Sequence, residues 1–257
     1  MESTTQIEVN PEIAVSVKTT KIIVEVENVP DHADNEEAQA FIRAKCARFN
    51  QWCKDVGILI PKIDYPEFFE GGLVGGKVNA PIEHREAFLF VPYKVVISLD
   101  KCLRDPEMFY FYHDNPQIFT KKHRDWEQLI LTTFLMHHKQ LGDKSYWAPY
   151  IELMPDVTFF CDLESKEIMA TMDPYIVAEA IEYREELEDE WVELLEVLER
   201  FPTLFNPEIR TRKLFMSIYA QVCSRCFGWG MPFTSMIPMA DNLNHSDVNV
   251  VLEIMHK

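Results

Sequence analysis

Residues 101 to 230 repeat their apolar side chains at helical spacing, and this long block lies between two stretches that do not. That arrangement is the strongest constraint on the fold. Helices of this kind must bury their apolar stripes against one another or against a sheet. Trp126, Leu129, Ile130, Phe134 and Leu135 mark a helix over 124 to 141. Ile176, Ala180, Ile181, Leu187, Trp191, Leu194, Leu195, Leu198 and Phe201 mark the longest one, over 174 to 201. Pro174 fits its first turn, and Pro202 closes it, because proline is tolerated at a helix start and cannot continue one. The opposite face is nearly all Glu and Asp and reads as solvated surface. Leu214, Phe215, Ile218, Tyr219 and Val222 mark a last helix over 207 to 227.

The flanks differ in character. Residues 1–34 are polar and acidic and read as a tail, with a β-prone centre at Ile22, Ile23, Val24 and Val26. Residues 35–70 open on a helix through Ala38, Phe41, Ile42, Ala44, Phe49 and Trp52 that Gly57 ends. In 71–100, Gly71, Gly72, Gly75 and Gly76 crowd together, and the runs Ala87–Val91 and Val95–Ile97 follow around Pro92. This is the strand-dominated part of the chain. Residues 101–232 form the helical insert. Residues 233–257 return to a polar turn, 237 to 246, "IPMADNLNHS", and a strand beginning at Val248. Two strand runs do not make a sheet. The expected class is therefore α+β, with a small β-sheet core interrupted by a large α-helical insert, and with further strands expected beyond residue 257.

Charge removes one class of partner. With 25 basic and 42 acidic residues the formal net charge is −17, which repels phosphate backbones and attracts basic ligands and protein tails. Nucleic acid is set aside. At 47% hydrophobic residues the chain can bury a core, and no apolar run is long enough to span a membrane. Six scattered cysteines and a polar start imply a reducing intracellular setting, cytoplasmic or nuclear. Cys223 and Cys226 form a lone CxxC, which reads as two thiols on a buried helix rather than as a metal site.

Taken singly, the polar residues near the flanks have ordinary explanations. His245 reads as a hydrogen-bonded turn histidine, Arg225 as a helix-end cation, the glycines as a hairpin turn, and Trp147 and Tyr150 as core aromatics. Four stretches in order change the weighting: the glycine loop with "AFLFVP" after it, "SYWAPYIELMP" at 145 to 155, "VCSRCFGWGMP" at 222 to 232, and "IPMADNLNHS". Together they resemble SET-domain protein methyltransferases of the class with a large helical insert, which includes the Rubisco large-subunit lysine methyltransferase and the actin-histidine methyltransferase.

The resemblance implies S-adenosylmethionine (SAM) as cofactor and a basic protein as substrate, with lysine expected ahead of histidine as the methylated residue. It implies that Asn244 and His245 contact the cofactor, with Asp241 opening the same stretch. It also implies that Arg225 pairs with the cofactor's carboxylate, a role that suits a guanidinium fork. Gly75, Gly76 and Lys77 fall in the loop where backbone approaches the cofactor without a side chain in the way. The family's Gly-x-Gly is altered here, since its first glycine aligns with Leu73. The family's catalytic tyrosine follows the Asn-His pair by several tens of residues, and no tyrosine follows Ser246 in this sequence. The reading is therefore of a truncated enzyme, inactive by itself, whose open sheet edge a larger assembly would cover. The alternative is a non-catalytic SET-like interaction module.

Overall fold

The computed structural model describes residues 36–69, 73–120, 125–162, 173–228 and 230–244. The acidic tail, Gly71, Gly72, His245 and the expected strand at Val248 lie outside them.

Helix α1 (Glu36–Val56) buries Cys46, Phe49, Cys53 and Val56, a three-four-three spacing that lines up one face. Phe41, expected on that face, is 62% exposed. Gly57 ends the helix at φ 88, returning its N–H to the Cys53 carbonyl at 3.1 Å, a left-handed cap that glycine adopts without a Cβ penalty. The chain then forms an antiparallel hairpin, β1 (Ile63–Phe68) and β2 (Val74–Val78). The register slips between Asp64 and Glu67, where Pro66 has no N–H to offer a ladder. The sequence reading expected its first strand at Ala87–Val91 instead. Only Phe90 of that run pairs, in an isolated bridge to Leu59. The neighbouring chain turns away at Pro61 and Lys62 to begin β1, so the run has no strand to lie along.

The second sheet fixes the topology. Strand β3 (Ile97–Ser98) and strand β4 (Cys226–Phe227) pair antiparallel with opposite edges of β5 (Ser235–Met236). Between β3 and β4 run α2 (Leu99–Arg104), α3 (Phe109–His113), α4 (Trp126–Leu141), α5 (Ala148–Leu153), α6 (Pro174–Arg200) and α7 (Arg212–Arg225). The helices thus leave one small sheet and return to it, which is the expected α+β core with a helical insert. Helix α4 is buried on every side from Leu129 to His138, packed against α2, α5 and α7. The Asp173 carboxylate caps α6 by accepting from the Tyr175 N–H, and the Thr211 hydroxyl caps α7 by accepting from the Leu214 N–H. The indole N–H of Trp147 donates to the Val95 carbonyl at 2.8 Å, tying the start of α5 to the chain just before β3.

Candidate functional site

The polar stretch after β5 is held in a specific shape. Met239 is fully buried at φ 74 and ψ −42, a positive-φ conformation that a methionine rarely adopts. Strain of this sort persists only where the surroundings over-determine it. A single 3₁₀ turn follows, Ala240–Asn242, and carries the chain to Leu243 and Asn244.

Three elements converge on that turn. From the end of α7, Arg225 donates through Nη1 to the Asp241 carbonyl (3.3 Å), the Asp241 carboxylate (3.4 Å) and the Asn242 side-chain oxygen (3.2 Å). Its Nε donates to Gln221 Oε1 at 2.7 Å, one helical turn back. From α5, the Tyr150 hydroxyl donates to Asp241 Oδ2 at 2.5 Å. From β2, the Gly76 N–H donates to Asn244 Oδ1 at 2.8 Å. Helix α1 stands behind Tyr150, whose ring lies 6.2 Å from that of Phe49, and the Phe49 ring also lies 6.0 Å from Tyr65 of β1.

The electrostatics follow from burial. The Asp241 carboxylate has no exposed surface. Burial pushes its pKa up to about 6, against the pull of the Arg225 charge and of the hydrogen bonds from Tyr150 and Arg225. Burial likewise holds the Tyr150 hydroxyl far above its ordinary range, with Asp241 adding to the effect. Tyr65 is also raised, by burial first and then by Cys46 and Asp241, while Arg225 opposes.

Of the residues read from sequence, the structure brings together Gly75, Gly76, Arg225, Asp241 and Asn244. A Cβ on Gly75 would stand 1.9 Å from Asn244 Oδ1, and one on Gly76 would stand 2.8 Å from the Leu243 side chain. The glycines therefore serve a close approach, here of the hairpin strand to the Asn244 and Leu243 side chains. Lys77 is not drawn in, because its ammonium turns to Glu67 across the hairpin at 3.3 Å. His245 lies outside the described residues. Tyr150 is indeed a buried aromatic, but its hydroxyl is committed to Asp241, a link that the spacing of "SYWAPY" does not reveal. Gln221 and Asn242 were also missed, and neither carries a motif of its own. The CxxC expectation needs correction: Cys223 is exposed and Cys226 half-buried, because α7 turns Phe215, Ile218, Tyr219 and Val222 inward instead.

A cavity of about 360 Å³ opens elsewhere, between Glu107, His137, His138 and Trp147, and none of the residues around Asp241 lines it. Among the described residues no group of His, Cys, Asp and Glu is placed to hold a metal ion, and no helix is long and apolar enough to cross a membrane.

No family profile matches the sequence, and no curated protein matches it. Solved structures do match in fold. The SET domain of LSMT bound to lysine and AdoHcy superimposes with a TM-score of 0.67 at 19% identity. Rubisco LSMT bound to sinefungin and monomethyllysine gives 0.65 at 20%, and Rubisco LSMT bound to AdoMet gives 0.63 at 18%. Each match covers 79% of this chain and 45% of the solved chain, so the sequence spans less than half the length of the structures it resembles. With its helices inserted between two edges of one small sheet, and with Asn244 of the polar turn against the glycine strand, the chain has the SET fold with a helical insert that the Rubisco LSMT structures display.

Proposed function

We propose that this chain forms the cofactor-binding part of a SET-domain protein methyltransferase that uses S-adenosylmethionine (SAM, AdoMet). The observation that carries the reading is the bond between Gly76 and Asn244, which joins the glycine strand to the polar turn. The residues suit the cofactor. Arg225 spends Nε and Nη1 on protein partners, while its Nη2 has none among the described residues and its side chain remains 18% exposed. A guanidinium nitrogen left over in this way is fit to meet the cofactor's carboxylate. The Asn244 Nδ2 group, also without an acceptor among the described residues, is fit to meet a polar edge of the cofactor. When bound, SAM supplies a sulfonium methyl group for in-line transfer to a neutral amine. The solved relatives hold lysine and monomethyllysine, and the net charge of −17 favours a basic protein; both support lysine as the target.

Titration calorimetry of the chain with SAM and with sinefungin tests this. Saturable binding with one ligand per chain is expected, together with loss of affinity in Arg225→Ala. Absence of heat with both ligands, from a protein whose circular dichroism and thermal unfolding show it folded, would overturn it.

A further inference from the structure

We propose that Tyr150 is a positioning residue for cofactor binding: its hydroxyl, carried on helix α5 of the insert, holds the Asp241 carboxylate against Arg225 and so fixes the turn that presents Asn244. The inference rests on the SAM-binding reading above and assigns to the helical insert a part in it.

The geometry makes a chain of contacts. Tyr150 reaches Asp241 at 2.5 Å. Asp241 meets Arg225 through both its carbonyl and its carboxylate, at 3.3 and 3.4 Å. The same Arg225 nitrogen reaches Asn242 at 3.2 Å, and two residues later Asn244 meets Gly76. Of these contacts the one to Tyr150 is the shortest, and it is the one supplied by a side chain from the insert's interior. Its ring is 1% exposed and packs beside Phe49, so the hydroxyl is delivered by a rigid base. A carboxylate with no exposed surface needs donors to remain charged. The groups that face Asp241 are Tyr150 from α5, Arg225 from α7 and the neighbouring Asn242, with Tyr65 of β1 close enough to interact electrostatically. Tyr150 and Arg225 donate to Oδ2, and the Asn242 amide donates to Oδ1 at 3.3 Å. Take away the Tyr150 hydroxyl and, among the described residues, the side-chain contacts left to the carboxylate are the two long ones, 3.4 Å from Arg225 and 3.3 Å from Asn242.

Burial already places the Asp241 pKa at about 6, and the Tyr150 hydrogen bond pulls against that rise. Losing the bond moves the pKa further up, toward neutral pH. A protonated Asp241 gives up its charge pairing with Arg225, which then holds the turn only through the Asp241 carbonyl and the Asn242 side chain. Cofactor affinity should therefore weaken on acidification, and it should do so at a higher pH in Tyr150→Phe than in wild type.

The test has two independent readouts on the same proteins. The first is the titration of the Asp241 carboxyl carbon by ¹³C NMR, assigned by its disappearance in Asp241→Asn. It needs no cofactor. The second is SAM affinity by calorimetry from pH 5 to 8 for wild type, Tyr150→Phe, Asp241→Asn and the double variant. An upward move of the Asp241 midpoint in Tyr150→Phe is expected, with SAM binding at pH 7 weakened about tenfold, the scale of one hydrogen bond to a charged group. In the Asp241→Asn background, Tyr150→Phe should change SAM affinity little, since the tyrosine acts through the carboxylate. An unmoved midpoint overturns the proposal, and so does equal SAM affinity in wild type and Tyr150→Phe. Wild type that fails to bind SAM at every pH overturns the SAM-binding reading itself, and the role of Tyr150 in cofactor binding falls with it. The titration separates the two failures, because it reports the Tyr150–Asp241 contact whether or not SAM binds.

Discussion

Asp241 is the residue whose chemistry and stability pull in opposite directions. Its ordinary value is 3.8 and its value in the fold is about 6. Between those pH values the folded chain binds a proton that the unfolded chain does not, so stability rises as pH falls through that window and is lost again as pH climbs past about 6. The gap corresponds to roughly 3 kcal/mol. The unfolding free energy of wild type, measured by urea titration, should gain on that of Asp241→Asn by about that amount between pH 7 and pH 4. A constant difference across the range would show that Asp241 is not buried as described. At neutral pH the buried charge costs stability, and Arg225 and the hydrogen bonds to the carboxylate offset part of that cost. At the glycines the argument is steric. Gly75→Ala puts a methyl group where Asn244 Oδ1 now stands. The asparagine side chain, which is exposed, should swing away, weakening SAM binding by about 1–3 kcal/mol while the melting temperature hardly moves.

Elements were legible in the sequence where a long stripe had a single solution, and obscure where neighbours chose the face. The spacing predicts helix α6 over 174 to 201 and the helix runs Pro174–Arg200, because a proline marks its start and nine apolar positions repeat. Two apolar residues of its first turns nevertheless stand clear of the core, Ile176 at 50% and Ile181 at 46% exposure. Spacing alone assigns them inward together with Ala180, which is buried. Continuous burial of the stripe begins only at Leu187 and runs through Trp191, Leu194 and Leu198. The hairpin strand β1 was hidden for a different reason: "IDYPEF" carries two carboxylates and a proline, and it forms only because β2 lies alongside. The site was legible as a set of motifs and illegible as a network. Arg225, Asn244 and the glycines stand in the motifs that carry the resemblance, whereas the Tyr150–Asp241 bond joins residues 91 apart in sequence. This contrast makes a measurable difference on α6. Leu194→Ala should cost about 2–5 kcal/mol in chemical unfolding, whereas Ile176→Ala, on the exposed turns, should cost under about 0.5 kcal/mol. Comparable losses at both positions would place Ile176 in the core after all.

At the scale of the whole molecule, the insert and the sheet are not two bodies joined by a hinge. Both ends of the insert are strands of one sheet, β3 and β4 on either edge of β5. The buried apolar residues form one cluster that runs from Phe49 of α1 through Phe134 of α4 and Leu194 of α6 to Met236 and Met239 beside the polar turn. Polar ties cross the same boundary, from Trp147 to the Val95 carbonyl and from Tyr150 to Asp241. An apolar core continuous across that boundary among the described residues, tied further by buried hydrogen bonds, disfavours a state in which half the chain detaches while the other half stays folded. The chain should therefore unfold in urea as one unit, with far-ultraviolet circular dichroism, which follows the helices, and fluorescence of its five tryptophans, Trp52, Trp126, Trp147, Trp191 and Trp229, giving coincident transitions. Phe134→Ala, a cavity in the middle of α4, should lower both midpoints together by an amount equivalent to about 3–5 kcal/mol. If the helical signal were lost at lower urea than the fluorescence of a variant retaining only Trp52, the insert would be a separable domain. Tyr150 could then not hold Asp241 in place from a rigid base, and the link between insert and cofactor turn would fail with it.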